Sequence, residues 1–188
     1  ANEAPTATVT TASGAEDTAI PVTLTASDVD GTIASFTITA IPANGTLSFN
    51  GSALTVGDTV TATGNAATLS FTPNANWNGS TSISFTAVDN EGAVSTPVTQ
   101  SITVTAVNDA PVALADSAST PINTALANIV VLANDSDVDG DALSVTAASL
   151  LNPALGSVSV NADGTLNFNP AANITGPVAI SYTVADGQ

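Results

Sequence analysis

Four carboxylates and an amide fall within eight consecutive residues, Asn134-Asp135-Ser136-Asp137-Val138-Asp139-Gly140-Asp141, and a shorter form, Asp28-Val29-Asp30-Gly31, stands 109 residues earlier. Oxygen donors this dense, in a chain without His or Cys, suit one chemistry above others: holding a hard divalent cation. Flexible multidentate oxygen clusters favour calcium over magnesium, which demands a tight octahedron and gives up its water reluctantly. From Asp135 the spacing reads D-x-D-x-D-G, the opening of an EF-hand loop. The position that should carry the bidentate Glu of that loop is Thr146, and the flanks alternate like strands rather than helices. A complete EF-hand is therefore excluded. The glycine-rich nonapeptide of calcium-binding β-rolls is absent as well.

The 188 residues carry 16 Asp and Glu and no Lys, Arg or His, a net charge of −16. Carboxylates ~4 to 5 Å apart repel by roughly 3 to 4 kcal/mol per pair at an effective dielectric near 20, so the acidic clusters call for a cation from solution. Nothing in the chain could displace counterions from phosphates, which sets aside nucleic acid and anionic membrane surfaces as partners. Without His, Lys, Cys or Arg there is no imidazole base, Schiff-base amine, thiolate or phosphate clamp. A glycosidase-type carboxylate pair is the catalytic constellation left, yet the acids lie in repeated Asp/Asn/Gly turns rather than around a cleft. The chain is read as non-enzymatic. The absence of Cys removes disulfides and leaves bound metal as the available staple for a small secreted module.

The elements that must position these acids are strands. Asn2-Glu3-Ala4-Pro5 returns as Asn108-Asp109-Ala110-Pro111, an offset of 106 residues that divides the chain into repeats at 1–107 and 108–188. Ile20, Val22, Leu24 and Ala26 alternate with polar residues, as do Phe36, Ile38 and Ala40; further candidate strands carry Leu47 and Phe49, Leu54 and Val56, Val60 and Ala62, Leu69 and Phe71, Ile83 and Phe85, and finally Ile102, Val104 and Ala106. Period two means half-buried strands, with Asn-Gly and Asp-Gly turns between them. No segment carries a helical stripe, and aromatic residues make up 4% of the chain. The expectation is an all-β protein of two tandem Greek-key β-sandwiches. Trp77 stands opposite Ile174 of the second repeat and reads as a core plug at a strand corner rather than a sugar-stacking platform. The longest apolar run found, 129–133, is far short of a membrane span. No basic segment followed by an apolar stretch opens the chain, and the preferred reading is a piece of a longer protein.

The second repeat drifts. Leu69-Ser70-Phe71 matches Leu166-Asn167-Phe168 and Ile83-Ser84-Phe85 matches Ile180-Ser181-Tyr182, at an offset of 97. Gln188 then aligns with Glu91, so the strand of Ile102 and Val104 has no counterpart and the second sandwich is expected to lack its last strand. Its neighbour would be left as an open edge able to take an edge-strand partner.

Taken together, the linker Val107-Asn108-Asp109-Ala110-Pro111, the triplet Glu16-Asp17-Thr18, Asp28-Val29-Asp30-Gly31, the 134–141 cluster and Val88-Asp89-Asn90-Glu91-Gly92 resemble the cadherin-like, Ig-like repeats, about 95 residues long, of giant bacterial surface adhesins of the RTX or biofilm type. The resemblance implies calcium at repeat junctions. Glu16, Asp89 and Glu91 would be ligands from the base of the first repeat, Asn108 and Asp109 from the linker, and Asp137 and Asp139 from the top of the second, with Asp135 and Asp141 as extra ligands. Glu3, Asp28 and Asp30 would be half of a site completed by a preceding repeat. Ile122-Asn123-Thr124 replaces the acidic triplet in the second repeat, so the far junction there, represented by Asp186, is expected to bind calcium poorly. The implied function is that of calcium-rigidified extender repeats, extracellular at the bacterial cell surface, with neighbouring repeats as partners and a distal ligand-binding region projected for adhesion or biofilm formation. Two other readings stand beside it: a ligand-binding adhesin module for glycan, peptide or ice, and an accessory domain of an extracellular carbohydrate-active enzyme.

Overall fold

Alternation of β-branched or aromatic residues with Thr and Ser builds both halves of the chain. The computed structural model describes all residues, 1–188, in two units, Ala1–Val107 and Asn108–Gln188. Both are all-β apart from one 3-10 turn at Pro153–Leu155.

Unit 1 contains β1 (Thr6–Thr8), β2 (Ala12–Ala15), β3 (Ile20–Ser27), β4 (Ile33–Ala40), β5 (Gly45–Phe49), β6 (Ser52–Ala53), β7 (Thr59–Thr61), β8 (Ala66–Pro73), β9 (Gly79–Asp89) and β10 (Val98–Thr105). One sheet runs β1-β3-β8-β5-β6 and the other β2-β10-β9-β4-β7. Alternate residues are buried in β3 and β8, in β9 from Ile83 onward and in β10 from Gln100 onward, because successive side chains of a strand point to opposite faces. Phe36 meets Phe85 edge to face at 5.7 Å, and both are fully buried among Ile20, Leu24, Ile83 and Ile102. Each such side chain contributes roughly 1.5–3 kcal/mol by leaving water. Trp77 packs partly buried against this core, as a plug does.

Two sequence expectations for unit 1 need correction. Leu54 and Val56 do not form a strand. Asp58 accepts hydrogen bonds from the Thr55 amide (2.7 Å) and hydroxyl (3.0 Å), closing a turn that leaves Val56 exposed. Ala40 is only half-buried because the ladder with β9 shifts register between Ile38 and Ala40, turning the end of β4 out of phase.

Unit 2 contains β11 (Leu126–Ile129), β12 (Ser144–Leu150), β13 (Gly156–Val160), β14 (Leu166–Pro170) and β15 (Ile180–Ala185). Its sheets are β11-β14-β13 and β12-β15. Leu126 opposite Phe168 and Ile129 opposite Leu166 repeat the pairing of Ile20 with Phe71 and Val22 with Leu69, with a bulge taken up where Asn128 adopts φ 55°. The core is thinner: Val131, Val145 and Leu166, with Ile129, Val158, Ile180 and Tyr182 packed partly buried against them. In unit 1, β9 lies between β4 and β10, and β2 pairs with β10 alone. In unit 2, β15 pairs only with β12. Residues 108–188 hold no counterpart of β10, and residues 118–121, the counterpart of β2, form no strand.

In each unit a polar side chain ties the N-terminal segment to the sheets, in unit 1 from β10. There the buried Gln100 side chain accepts from the Thr10 amide (3.4 Å) and donates to the Thr23 carbonyl (3.3 Å), tying the N-terminal segment to β3. In unit 2 the Tyr182 hydroxyl lies 2.9 Å from the Leu114 carbonyl, 2.8 Å from an Asp116 carboxylate oxygen and 3.3 Å from the Val131 carbonyl. Burial, then the Asp116 hydrogen bond and charge, push its pKa up to about 12, so the hydroxyl stays a donor.

Candidate functional site

Asp28-Val29-Asp30-Gly31 is the turn between β3 and β4. One oxygen of Asp28 accepts from the amides of Asp30 (3.1 Å) and Gly31 (3.2 Å); its Oδ2 is buried and has no hydrogen-bond partner. A Cβ on Gly31 would stand 2.5 Å from Asn90 Oδ1 and 3.3 Å from Asp28 Oδ2, so only glycine lets the turn close against Asn90. The Asp30 carboxylate accepts from the Glu3 amide at 3.2 Å. Asp89, almost fully buried at the end of β9, accepts from the Glu91 (2.9 Å) and Ala93 (2.8 Å) amides through Oδ1 and from the Asn2 side chain (2.8 Å) through Oδ2. Burial opposes its ionisation, but the Asn2 amide and the backbone N–H groups of Ala93, Glu91 and Gly92 outweigh it and hold the pKa below the usual carboxylate range. Asn2, Glu3, Asp28, Asp30 and Asp89 thus share the entry end of unit 1.

Unit 2 repeats most of this arrangement, with Asp141 in place of the Gly31 counterpart as second donor to the turn. Asp137 Oδ1 accepts from the amides of Asp139 (2.9 Å) and Asp141 (3.3 Å), and its Oδ2 is buried without a partner. Asp139 accepts from the Asp109 amide (2.8 Å), and Asp186 from the Asn108 side chain (2.9 Å). The Gln188 backbone N–H and then the Asn108 amide hold Asp186 below the usual range. Asp135 adds a second carboxylate whose Oδ1 accepts from Leu114 (2.8 Å) while Oδ2 is buried and unpartnered.

Glu16 is at the other end of unit 1. Its Oε1 accepts from the Val107 amide (2.8 Å), its backbone N–H donates to the Thr105 carbonyl (2.9 Å), and Oε2 is buried with no partner. A buried carboxylate oxygen left unpaired costs roughly 1–3 kcal/mol, and more when it carries charge. The chain has no side-chain cation to relieve it. Hard oxygens of this kind fit a calcium ion. In neither unit do three acidic side chains gather into a group able to hold a metal on their own; amide, backbone carbonyl and water oxygens would have to complete any coordination sphere.

A family profile, that of the bacterial Ig domain, matches residues 2–105 and again 108–188. The chain belongs to this family. No curated protein matches this tandem of bacterial Ig domains. Among solved structures, a conjugative transposon lipoprotein from Bacteroides eggerthii is 12% identical over 52% of this chain and 95% of its own, TM-score 0.39. Fibronectin(III)-like modules of Clostridium thermocellum CbhA are 20% identical over 55% of this chain and 46% of theirs, TM-score 0.32. An endo-fucoidan hydrolase of glycoside hydrolase family 107 is 19% identical over 98% of this chain and 27% of its own, TM-score 0.42.

The bacterial Ig fold rearranges the ligand sets expected from sequence. Asp89 and Glu91 do not join Glu16. β9 runs antiparallel to β10, with Phe85 opposite Val98 and Gly79 opposite Val104. Asp89 therefore lies where β10 begins, whereas Glu16 bonds to Thr105 where β10 ends, roughly 30 Å away at ~3.3 Å per residue. Asp186 likewise belongs to the entry end of unit 2, beside Asn108, rather than to its far end. Asn2 and Asp186 were missed as members of these groups. The repeat offsets hold the missing signal: Asn2 and Asp89 map onto Asn108 and Asp186, so a contact in one unit predicts the contact in the other.

Proposed function

We propose that these bacterial Ig domains are calcium-stiffened, non-catalytic spacer modules of a bacterial cell-surface adhesin, holding a ligand-binding region away from the cell. The observation that supports this most directly is the duplicated turn. In both units a half-buried Asp spends one oxygen capping its own turn and keeps the other buried and unpaired, at Asp28 and at Asp137, in a chain without Lys, Arg or His. Calcium supplies the positive charge this pattern lacks; the chain's residues supply the carboxylates and the hydrogen bonds that aim them. Asn2, Glu3, Asp28, Asp30 and Asp89 serve the entry end of unit 1, and Asn108, Asp109, Asp135, Asp137, Asp139, Asp141 and Asp186 that of unit 2. Glu16 serves the far end of unit 1. Binding would fix segments that otherwise repel one another, and a spacer is useful only while it is stiff.

The test is thermal unfolding with calcium and with excess chelator. A site with a dissociation constant near 10⁻⁴ M stabilises by roughly 2.7 kcal/mol at about 10 mM calcium. Superimposable unfolding curves in the two conditions would sink the calcium reading.

A further inference from the structure

Asn-Gly occurs three times, at Asn44-Gly45, Asn50-Gly51 and Asn78-Gly79, each followed by Thr or Ser. A glycine after asparagine leaves the next backbone nitrogen unshielded, because no Cβ stands beside it, and that nitrogen can close a five-membered ring on the asparagine side chain. In an unfolded chain the three sites react alike, since their neighbours are nearly the same. The fold separates them. Gly45 begins β5 opposite Pro73, packed so closely that a Cβ there would stand 2.5 Å from the Phe71 ring and from the Thr72 carbonyl oxygen, and the Asn44 carbonyl accepts from the Asn74 amide (2.9 Å). Gly79 begins β9 opposite Val104, with the Trp77 ring 3.3 Å from where a Cβ would be. Both β5 and β9 are inner strands of their sheets.

Asn50-Gly51 is the two-residue turn between Phe49 and Ser52 of the β5–β6 hairpin, with φ of 49° and 81°, the type I′ pattern. Asn50, Gly51, Ser52 and Ala53 are all exposed, nothing lies within 4 Å of a Cβ placed on Gly51, and β6 is an edge strand of two residues. Opening this turn breaks only the short β6 pairing, whereas opening at Asn44 or Asn78 pulls at an inner strand, so local opening is least costly at Asn50.

We propose that Asn50 is a self-modification site, where the side-chain amide is converted to a carboxylate without an enzyme. The Gly51 backbone nitrogen attacks Asn50 Cγ. The new N–Cγ bond forms as the bond from Cγ to the side-chain nitrogen breaks, the Gly51 amide proton leaves with that nitrogen, and ammonia departs. Water then opens the succinimide at either carbonyl and gives aspartate or isoaspartate. The product carries one more negative charge at the outer edge of the β1-β3-β8-β5-β6 sheet, and as isoaspartate one more main-chain atom in the turn.

The experiment incubates residues 1–188 in mildly alkaline buffer, native and in denaturant, with peptide mapping by mass spectrometry to read the amide-to-acid change at each asparagine. In denaturant the three sites should convert at similar rates. In the folded protein Asn50 should convert at least about tenfold faster than Asn44 and Asn78, because it needs only the smaller opening. The acidic form on isoelectric focusing should vanish in Asn50→Gln, whose longer side chain closes no five-membered ring, and persist in Asn78→Gln. Folding that slows Asn50 as much as it slows Asn44 and Asn78 overturns the proposal, and so does an acidic form that persists undiminished in Asn50→Gln.

Discussion

Replacing Glu16 by Gln should change the sign of its effect with calcium. Glu16 is 2% exposed, and only Oε1 has a partner, the Val107 amide at 2.8 Å. Glutamine keeps that acceptor and removes the charge from the unpartnered Oε2, at the expense of burying an amide group there. Because an unpaired buried charge costs more than an unpaired buried neutral group, the variant should be more stable than the parent in chelator by roughly 1 kcal/mol. With calcium at about a hundred times its dissociation constant the parent gains ~2.7 kcal/mol, which the variant forgoes, so the order inverts and the parent leads by roughly 1.7 kcal/mol. For a domain of this size 1 kcal/mol moves the midpoint by about 4 °C. Calorimetric scans should therefore place the Glu16→Gln unit 1 transition ~4 °C above the parent in chelator and ~7 °C below it in calcium. If Glu16→Gln lowers the midpoint equally in both conditions, Glu16 is only a partner for the Val107 amide and the cation argument fails at this residue.

Three further outcomes follow from the geometry. Tyr182→Phe should destabilise unit 2 by about 1–2 kcal/mol in denaturant titration, since its one hydroxyl hydrogen is lost to the acceptors around it, Asp116 and the Leu114 and Val131 carbonyls, and leave unit 1 unchanged. Because the folded-state pKa of Tyr182 is raised to about 12 from its ordinary 10, its contribution is full below pH 10 and is lost as pH rises toward 12; an alkaline unfolding limb that persists in Tyr182→Phe contradicts this. Asp89, Asp163 and Asp186 are held below their ordinary 3.8, so their stabilisation is present above that value and is lost as pH falls beneath it, and acid titration of Asn2→Ala should show a smaller loss in unit 1. Gly31→Ala should destabilise unit 1 by roughly 1–3 kcal/mol through its clash with Asn90, measurable by the same denaturant titration.

The sandwich of unit 1 was legible because its signal is redundant: β3, β8, β9 and β10 each bury alternate residues, and any one of them announces the period. The acidic turns were legible as chemistry because Asp-x-Asp-Gly appears twice. Which acids share an end was not, since that depends on strand direction, and Asp89 and Glu16 are near neighbours only if β9 is read the wrong way round. The strand expected at Leu54 and Val56 failed for a local reason: the Asp58 carboxylate outcompetes the ladder for the Thr55 amide, a preference that alternation does not encode.

The two units differ where the physics of pairing says they should. Among residues 108–188 neither β10 nor β2 has a strand counterpart, and fewer apolar side chains are fully buried. The acidic entry turn survives intact in unit 2 because it hangs from β12 and β15, which still pair with each other over Ser144–Leu150 and Ile180–Ala185. Glu16 has no such independence: it is anchored by the Thr105 carbonyl and the Val107 amide at the end of β10, and in unit 2 its position is taken by Ile122, half of which is exposed. The entry-end sites are thus properties of a turn leading into a strand, β4 or β12, that pairs with the strand beside Asp89 or Asp186, whereas the far-end site hangs from the end of β10.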